Sequence, residues 1–355
     1  MGSIARGGNM GIFGNMFGKK QPQHANAFNN PDLAKRAERA KETTSILFRE
    51  DSEPEWLKSG NTVPDPIPEP SFLGENPPEI PAAIRQKVGR ALEGRFQMSP
   101  DSHRLIALLN DPNADPGSIT QAVTKDPSLT TRILRTVNSA QFGLATQITA
   151  VGRAVVLLGF NNIRSLALAH AVKIKAGSDA EASRMRMLWM NSAITSAAAS
   201  SLAKKSGGGL DIGDAATAGL LVNIGKMILK TEETGLLSMQ TGLPPSIIEG
   251  FAGSCFAETW GLPDLTGKVL EASTIPFYFP IEAIPSQHRR LALTVAFAGF
   301  IARWYGFANG DAPEAPCQAF LDAVGWKPCK NNHWIETDTA LEIEKARMAM
   351  QIYLG

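Results

Sequence analysis

Side chains able to hold a metal, attack a carbonyl or move a proton are few and scattered in this sequence. The five histidines stand at 24, 103, 170, 288 and 333, and no two lie within four positions of each other. No helix turn can therefore present a His pair to an ion. Cys255, Cys317 and Cys329 are odd in number and form no C-x-x-C pair, which argues against a disulfide framework or a zinc ribbon. Cys317, Cys329 and His333 would supply three zinc ligands, but their spacing matches no common finger and no fourth ligand is evident. Gly225-Lys226 lacks the earlier glycine and the following Ser or Thr of a P-loop, and the Gly207 to Gly209 run is followed by no lysine. These glycines read as turns.

The elements that would position any site are helical. Before about residue 80 the chain is rich in Gly, Asn, Pro and charge, with one candidate exposed helix from Asp32 to Phe48 and prolines at 64, 66, 68, 70, 77, 78 and 81. That composition predicts a disordered tail and a Pro-rich linker over 1–80. Ile84, Val88 and Leu92 then line one helix face. Ser99-Pro100 and Asp126-Pro127 are helix starts, Ser118 with Gln121 resembles a capping box, Thr149 is a candidate cap, and Gly159 is a stop. Further helices are predicted near 180–206, 213–231, 245–260, 265–273, 285–305, 315–324 and 337–354. No segment alternates β-branched and polar residues between turns, so the expected class is all-α. Two lobes are expected, 81–178 and 179–355, since 355 residues at 43% hydrophobic content can build more than one core.

Bulk charge is uninformative: 35 basic against 34 acidic residues leave a net charge of +1, too weak a field to imply nucleic acid or an anionic membrane as the main partner. No run approaches the roughly 18 apolar residues of a membrane span. With only three cysteines, a reducing cytoplasm is the expected compartment.

Two stretches carry a family resemblance. From Asn110 to Val172 the chain reads Asn110-Asp111-Pro112, Asp126-Pro127, Asn138-Ser139-Ala140, Phe142-Gly143 and then AVVLLG ending at Gly159. This order resembles the HDOD family, non-catalytic relatives of the HD and HD-GYP metal-dependent phosphohydrolases. Asp126, Pro127, Asn138, Ser139, Phe142 and Gly159 are the motif positions, although each also has an ordinary role in capping or ending a helix. From Leu188 onward the chain resembles the metal-binding helices of that superfamily with the ligands replaced. Active relatives carry a His followed by the phrase H-D-I-G-K and further histidines. Here Asn191, Val222 and Asn223 stand in the first three ligand positions, with Ile224-Gly225-Lys226 retained. Glu249 stands before Trp260-Gly261-Leu262-Pro263, Ser273 and Thr274 replace a later His pair, and Gly299 is the nearest counterpart of a last Asp.

The resemblance therefore implies an HD-like helical core with an N-terminal helical HDOD lobe, no catalysis, no metal and no cofactor. A bacterial signal-transduction role follows, exerted on other signalling proteins, with a small ligand in the vestigial cleft as a further expectation. Two alternatives remain: an HD-type phosphohydrolase with another metal arrangement, and a nucleic-acid regulator using Arg132, Arg135, Arg153 and Arg164 as phosphate contacts.

Overall fold

Aspartate-proline pairs set the rhythm of the first half. In the computed structural model the described residues are 54–58, 63, 67, 71–97, 100–109, 111, 114–139, 142, 144, 146–174, 178–307, 316–327, 329 and 333–354. Helix α1 is Glu55–Lys58, α2 is Ala82–Arg95 and α3 is Pro100–Leu109. Helix α4, Pro116–Thr124, is capped three residues before the expected Ser118, because Pro116 presets the first turn and Asp115 accepts from the amides of Gly117 and Ser118 at 2.7 and 3.1 Å. Helix α5, Pro127–Val137, begins at Asp126 as expected. Helix α6, Val151–Leu158, has Ala150 at its N-cap with no side-chain bond, so Thr149 does not cap it.

Helix α7, Phe160–Ala171, follows after Gly159 alone, which turns the chain at φ 76 and ψ 157, a conformation closed to most side chains. The fold is all-α. The one exception among the described residues is a pair of two-residue strands, Phe96↔Ile174 and Gln97↔Lys173.

The second half is built around α8, Asp179–Lys205, which is largely buried from Asn191 to Ala203 through small residues such as Ala193, Ser196, Ala199 and Ala203. Instead of one helix over 213–231, the chain makes α9, Ile212–Leu221, and α10, Ile224–Ile228. The interruption falls at Val222-Asn223, where Asn223 leaves helical geometry at φ −98 and ψ 5. Helix α11, Thr231–Thr241, was not foreseen. Helices α12, Pro245–Thr259, and α13, Asp264–Ala272, precede α14, Ser286–Trp304, α15, Gln318–Val324, and α16, Thr337–Leu354. Helices α9, α14 and α16 pack on α8, and α12 on α10 and α13.

Small residues permit backbone contact at these crossings. A Cβ on Gly225 would lie 1.8 Å from the carbonyl oxygen of Glu249, so α10 and α12 touch main chain to main chain.

One apolar cluster runs through both halves, from Leu57 to Tyr353. Helix α2 lies against α10 and α12, with Arg85 over the Phe251 ring at 5.1 Å. Helix α16 reaches back to α5, where Arg132 lies over the Tyr353 ring at 5.1 Å. Most of the expected tail and its candidate helix at 32–48 fall outside the described residues, but its described end is folded. Leu57 is fully buried, and Trp56 donates to Glu344 at 3.0 Å while packing edge-on to Tyr305 and Phe307. Among the described residues no single helix is long and apolar enough to cross a membrane.

Two glycine substitutions should move stability in opposite directions. Gly225→Ala drives a methyl group into main chain that cannot swing away, and should cost about 3 kcal/mol in chemical denaturation. Gly89→Ala, inside α2 with open space around its Cβ position, should stabilise by up to about 1 kcal/mol through helix propensity.

Candidate functional site

Two helices bring Asn191, Ser192 and Asn223 together. Asn191 and Ser192 project from α8, and Asn223 sits at the start of α10. All three are buried. The Asn223 side-chain amide donates to Asn191 Oδ1 at 2.7 Å and lies 3.2 Å from Ser192 Oγ, while Asn191 donates to the Phe307 carbonyl at 3.4 Å. The polar atoms that face this centre thus satisfy one another. Asn223 directs N–H groups inward, where a cation would require lone pairs.

Glu249 of α12 does not join that amide network. Its Oε2 lies 3.9 Å from Lys226 Nζ, one turn beyond Asn223. Burial pushes the Glu249 carboxyl upward, opposed by Lys226, Arg184 and Arg303, while burial pushes the Lys226 ammonium downward, opposed by Glu249. Arg184, on the Asn191 face of α8, donates to the Lys226 carbonyl at 2.9 Å. Ser273 and Thr274 return their hydroxyls to the Leu270 and Glu271 carbonyls, each at 3.0 Å, and so finish α13. Val222 is half-buried at the end of α9. Of the six predicted positions the amide cluster gathers Asn191 and Asn223, while Glu249 lies beside it with Lys226 and with Arg184, a residue that sequence reasoning did not select. The signal for Arg184 was available, since it precedes Asn191 by two helical turns.

This donor set does not suit a divalent metal. Two amides and a hydroxyl are neutral, and the nearby carboxylate is already paired to an ammonium. Among the described residues no three His, Cys, Asp or Glu side chains converge. Cys317 is buried beside α15 and His333 is buried, while Cys329 is half-buried.

The motif residues of the first half have definite structural work. Asp126 accepts from the amides of Ser128 and Leu129, both at 2.9 Å, and meets His170 Nε2 at 2.9 Å, tying the start of α5 to the end of α7. Pro127 opens α5. Asn138 clamps the chain ten residues on: its Nδ2 donates to the Ile148 carbonyl at 2.7 Å and its Oδ1 accepts from the Ile148 amide at 2.6 Å. Ser139 keeps a buried hydroxyl without a partner among the described residues, and Phe142 packs half-buried on the core. Arg164 is withdrawn from any nucleic-acid track, because it is buried and donates to the Leu109 and Gly213 carbonyls. A recess of about 400 Å³ beside α3 and α4, reached by Arg104, Asp111 and Lys125, is separate from the amide cluster.

The helical architecture thus carries a neutral amide cluster where α8 meets α10. Residues 98–237 match the model of the HDOD domain family. The chain is 27% identical over 220 residues to an uncharacterized protein of Treponema pallidum (strain Nichols), covering 58% of this chain and 41% of that relative. The match thus spans less than half the length of the Treponema protein.

Among solved structures, a candidate phosphohydrolase from Shewanella amazonensis SB2B matches at TM-score 0.53 and 20% identity, over 77% of this chain and 98% of that one. A candidate signal transduction protein from Marinobacter aquaeolei VT8 matches at TM-score 0.53 and 22% identity, over 77% of this chain and 65% of that one. At such identities the likeness concerns the fold.

Removal of the Asn138 clamp by Asn138→Ala should cost about 1 to 2 kcal/mol in denaturant unfolding, since both Ile148 groups lose their partner.

Burial opposes ionisation of Asp126, but the Leu129 and Ser128 amides and His170 outweigh it and hold its carboxyl below the usual value. The stability Asp126 contributes is therefore present above the ordinary carboxylate pKa and is lost as pH falls through the lower folded value. Asp126→Asn should flatten that part of an acid unfolding curve relative to the unsubstituted chain.

Proposed function

We propose that this chain is a non-catalytic regulatory protein that acts by binding, with other signalling proteins as its partners. The observation that carries this reading is the closed hydrogen-bond set Asn191, Ser192 and Asn223. A metal-dependent phosphohydrolase needs carboxylates and imidazoles converging on one point, to lower the pKa of a bound water and clamp phosphoryl oxygens. These positions instead offer amides bonded to each other. A helical fold can outlive its chemistry because apolar packing, not the ligands, sets the core. Free thiols at Cys255, Cys317 and Cys329 suit a reducing compartment, and we place the protein in the cytoplasm on that ground.

The test is direct. Purified protein should contain no stoichiometric Mn, Fe or Zn by elemental analysis, and should not hydrolyse cyclic dinucleotides or other phosphoesters with any of these metals added. The triple variant Asn191→His, Val222→His, Asn223→Asp should gain at most weak metal binding, because nothing orients the new imidazoles. One metal per unsubstituted chain, or metal-dependent turnover, would overturn the proposal and favour the phosphohydrolase reading.

A further inference from the structure

Beside the amide cluster the balance of charge is reversed from that of a metal site. Lys226, Arg184 and Arg303 all act electrostatically on Glu249, three cations against one carboxylate among the described residues. They come from three elements: Arg184 from α8, Lys226 from α10 and Arg303 from the last turn of α14. Packing fixes two of them. The Arg184 guanidinium is held on the Lys226 carbonyl, and Arg303 lies over the Phe277 ring at 5.3 Å. Arg303 also has its Nε buried with no hydrogen-bond partner among the described residues. A buried guanidinium donor left unmade costs far more than an exposed one, and such an orphan marks a place where an acceptor belongs.

Glu249 does not supply that acceptor. It lies 3.9 Å from Lys226, beyond a short hydrogen bond, and burial works against its ionisation. Lys226 keeps about a third of its side chain in contact with solvent, at 31% exposure, so the cluster can be reached from outside.

The geometry points to a binding site for a small phosphate-type dianion at Lys226, Arg303 and Arg184, beside the amide cluster. This rests on the reading of the cleft as a non-catalytic binding site and names its ligand chemistry. Guanidinium and ammonium groups are the usual partners of a tetrahedral anion, and a partly desolvated setting strengthens each bond. A bound dianion would satisfy the Arg303 Nε, neutralise the excess positive charge and relieve the burial penalty on Lys226.

Titration calorimetry on the full chain, in EDTA and at constant ionic strength held with sodium chloride, provides the test with inorganic phosphate as probe. Saturable binding of one phosphate per chain is expected. Lys226→Met should weaken it about tenfold by removing one charge-assisted contact. Glu249→Gln should tighten it several-fold, because it removes the anion that competes for the same cations; a merely structural role for Glu249 predicts no gain.

An adenosine monophosphate arm separates sources: tighter binding than phosphate identifies a nucleotide, and equal or weaker binding identifies free phosphate. Absence of saturable binding in both the unsubstituted chain and Glu249→Gln overturns the proposal, as does unchanged affinity in Glu249→Gln, which decides the matter alone if Lys226→Met fails to fold. Because EDTA is present throughout, phosphate binding can stand even where metal analysis refutes the non-catalytic reading, and can fail while that reading survives.

Discussion

Main-chain contact between α10 and α12 at Gly225 is the constraint on which the second half depends. With no side chain there, the two helices close until the Gly225 α-carbon rests on the Glu249 carbonyl. This approach sets the height at which Lys226 meets Glu249, and it holds the start of α10, with Asn223, against Asn191. A bulkier residue would separate the helices and pull the polar cluster apart. The I-G-K phrase thus has a packing reason for its glycine that is independent of any chemistry at the neighbouring positions.

Much of this arrangement was legible in residue order. Asp126-Pro127 announced a helix start through elementary capping, and the all-helical class followed from spacing alone. Helix starts were read less well where two signals competed: Ser118 fitted a capping pattern, but Asp115 with Pro116 forms the actual one, and Ser118 itself bonds to Asp115. The chain between Gly213 and Thr231 read as one helix because its apolar content is continuous. Its break at Asn223 arises from a sideways hydrogen bond to Asn191, thirty-two residues away in sequence, which no local window contains.

The candidate site divides in the same manner. Asn191, Asn223 and Glu249 were identifiable by position in a resembling motif, whereas the role of Arg303 depends on where the end of α14 lands. Likewise Ile84, Val88 and Leu92 showed that α2 buries a face but could not show against what; the answer, α10 and α12, is a property of the assembled core. Asn138 was assigned to helix ending, and its bond pair to Ile148 extends that role to closing the following loop. What sequence alone withholds is the set of long-range pairings, because charge and polarity are visible in a residue but convergence is not.

Helix α16 draws these distant parts into one loop of chain. Glu344 receives the Trp56 indole N–H from 288 residues earlier, and Lys205 at the end of α8 pairs with Asp338. Closing a loop of that length carries an entropic toll before any contact repays it, so the Trp56 contact belongs to the end of folding rather than its beginning. On a ribosome, the segment around Trp56 has left the exit tunnel long before its docking surface exists, and its apolar side chains must wait in water until nearly three hundred further residues are made.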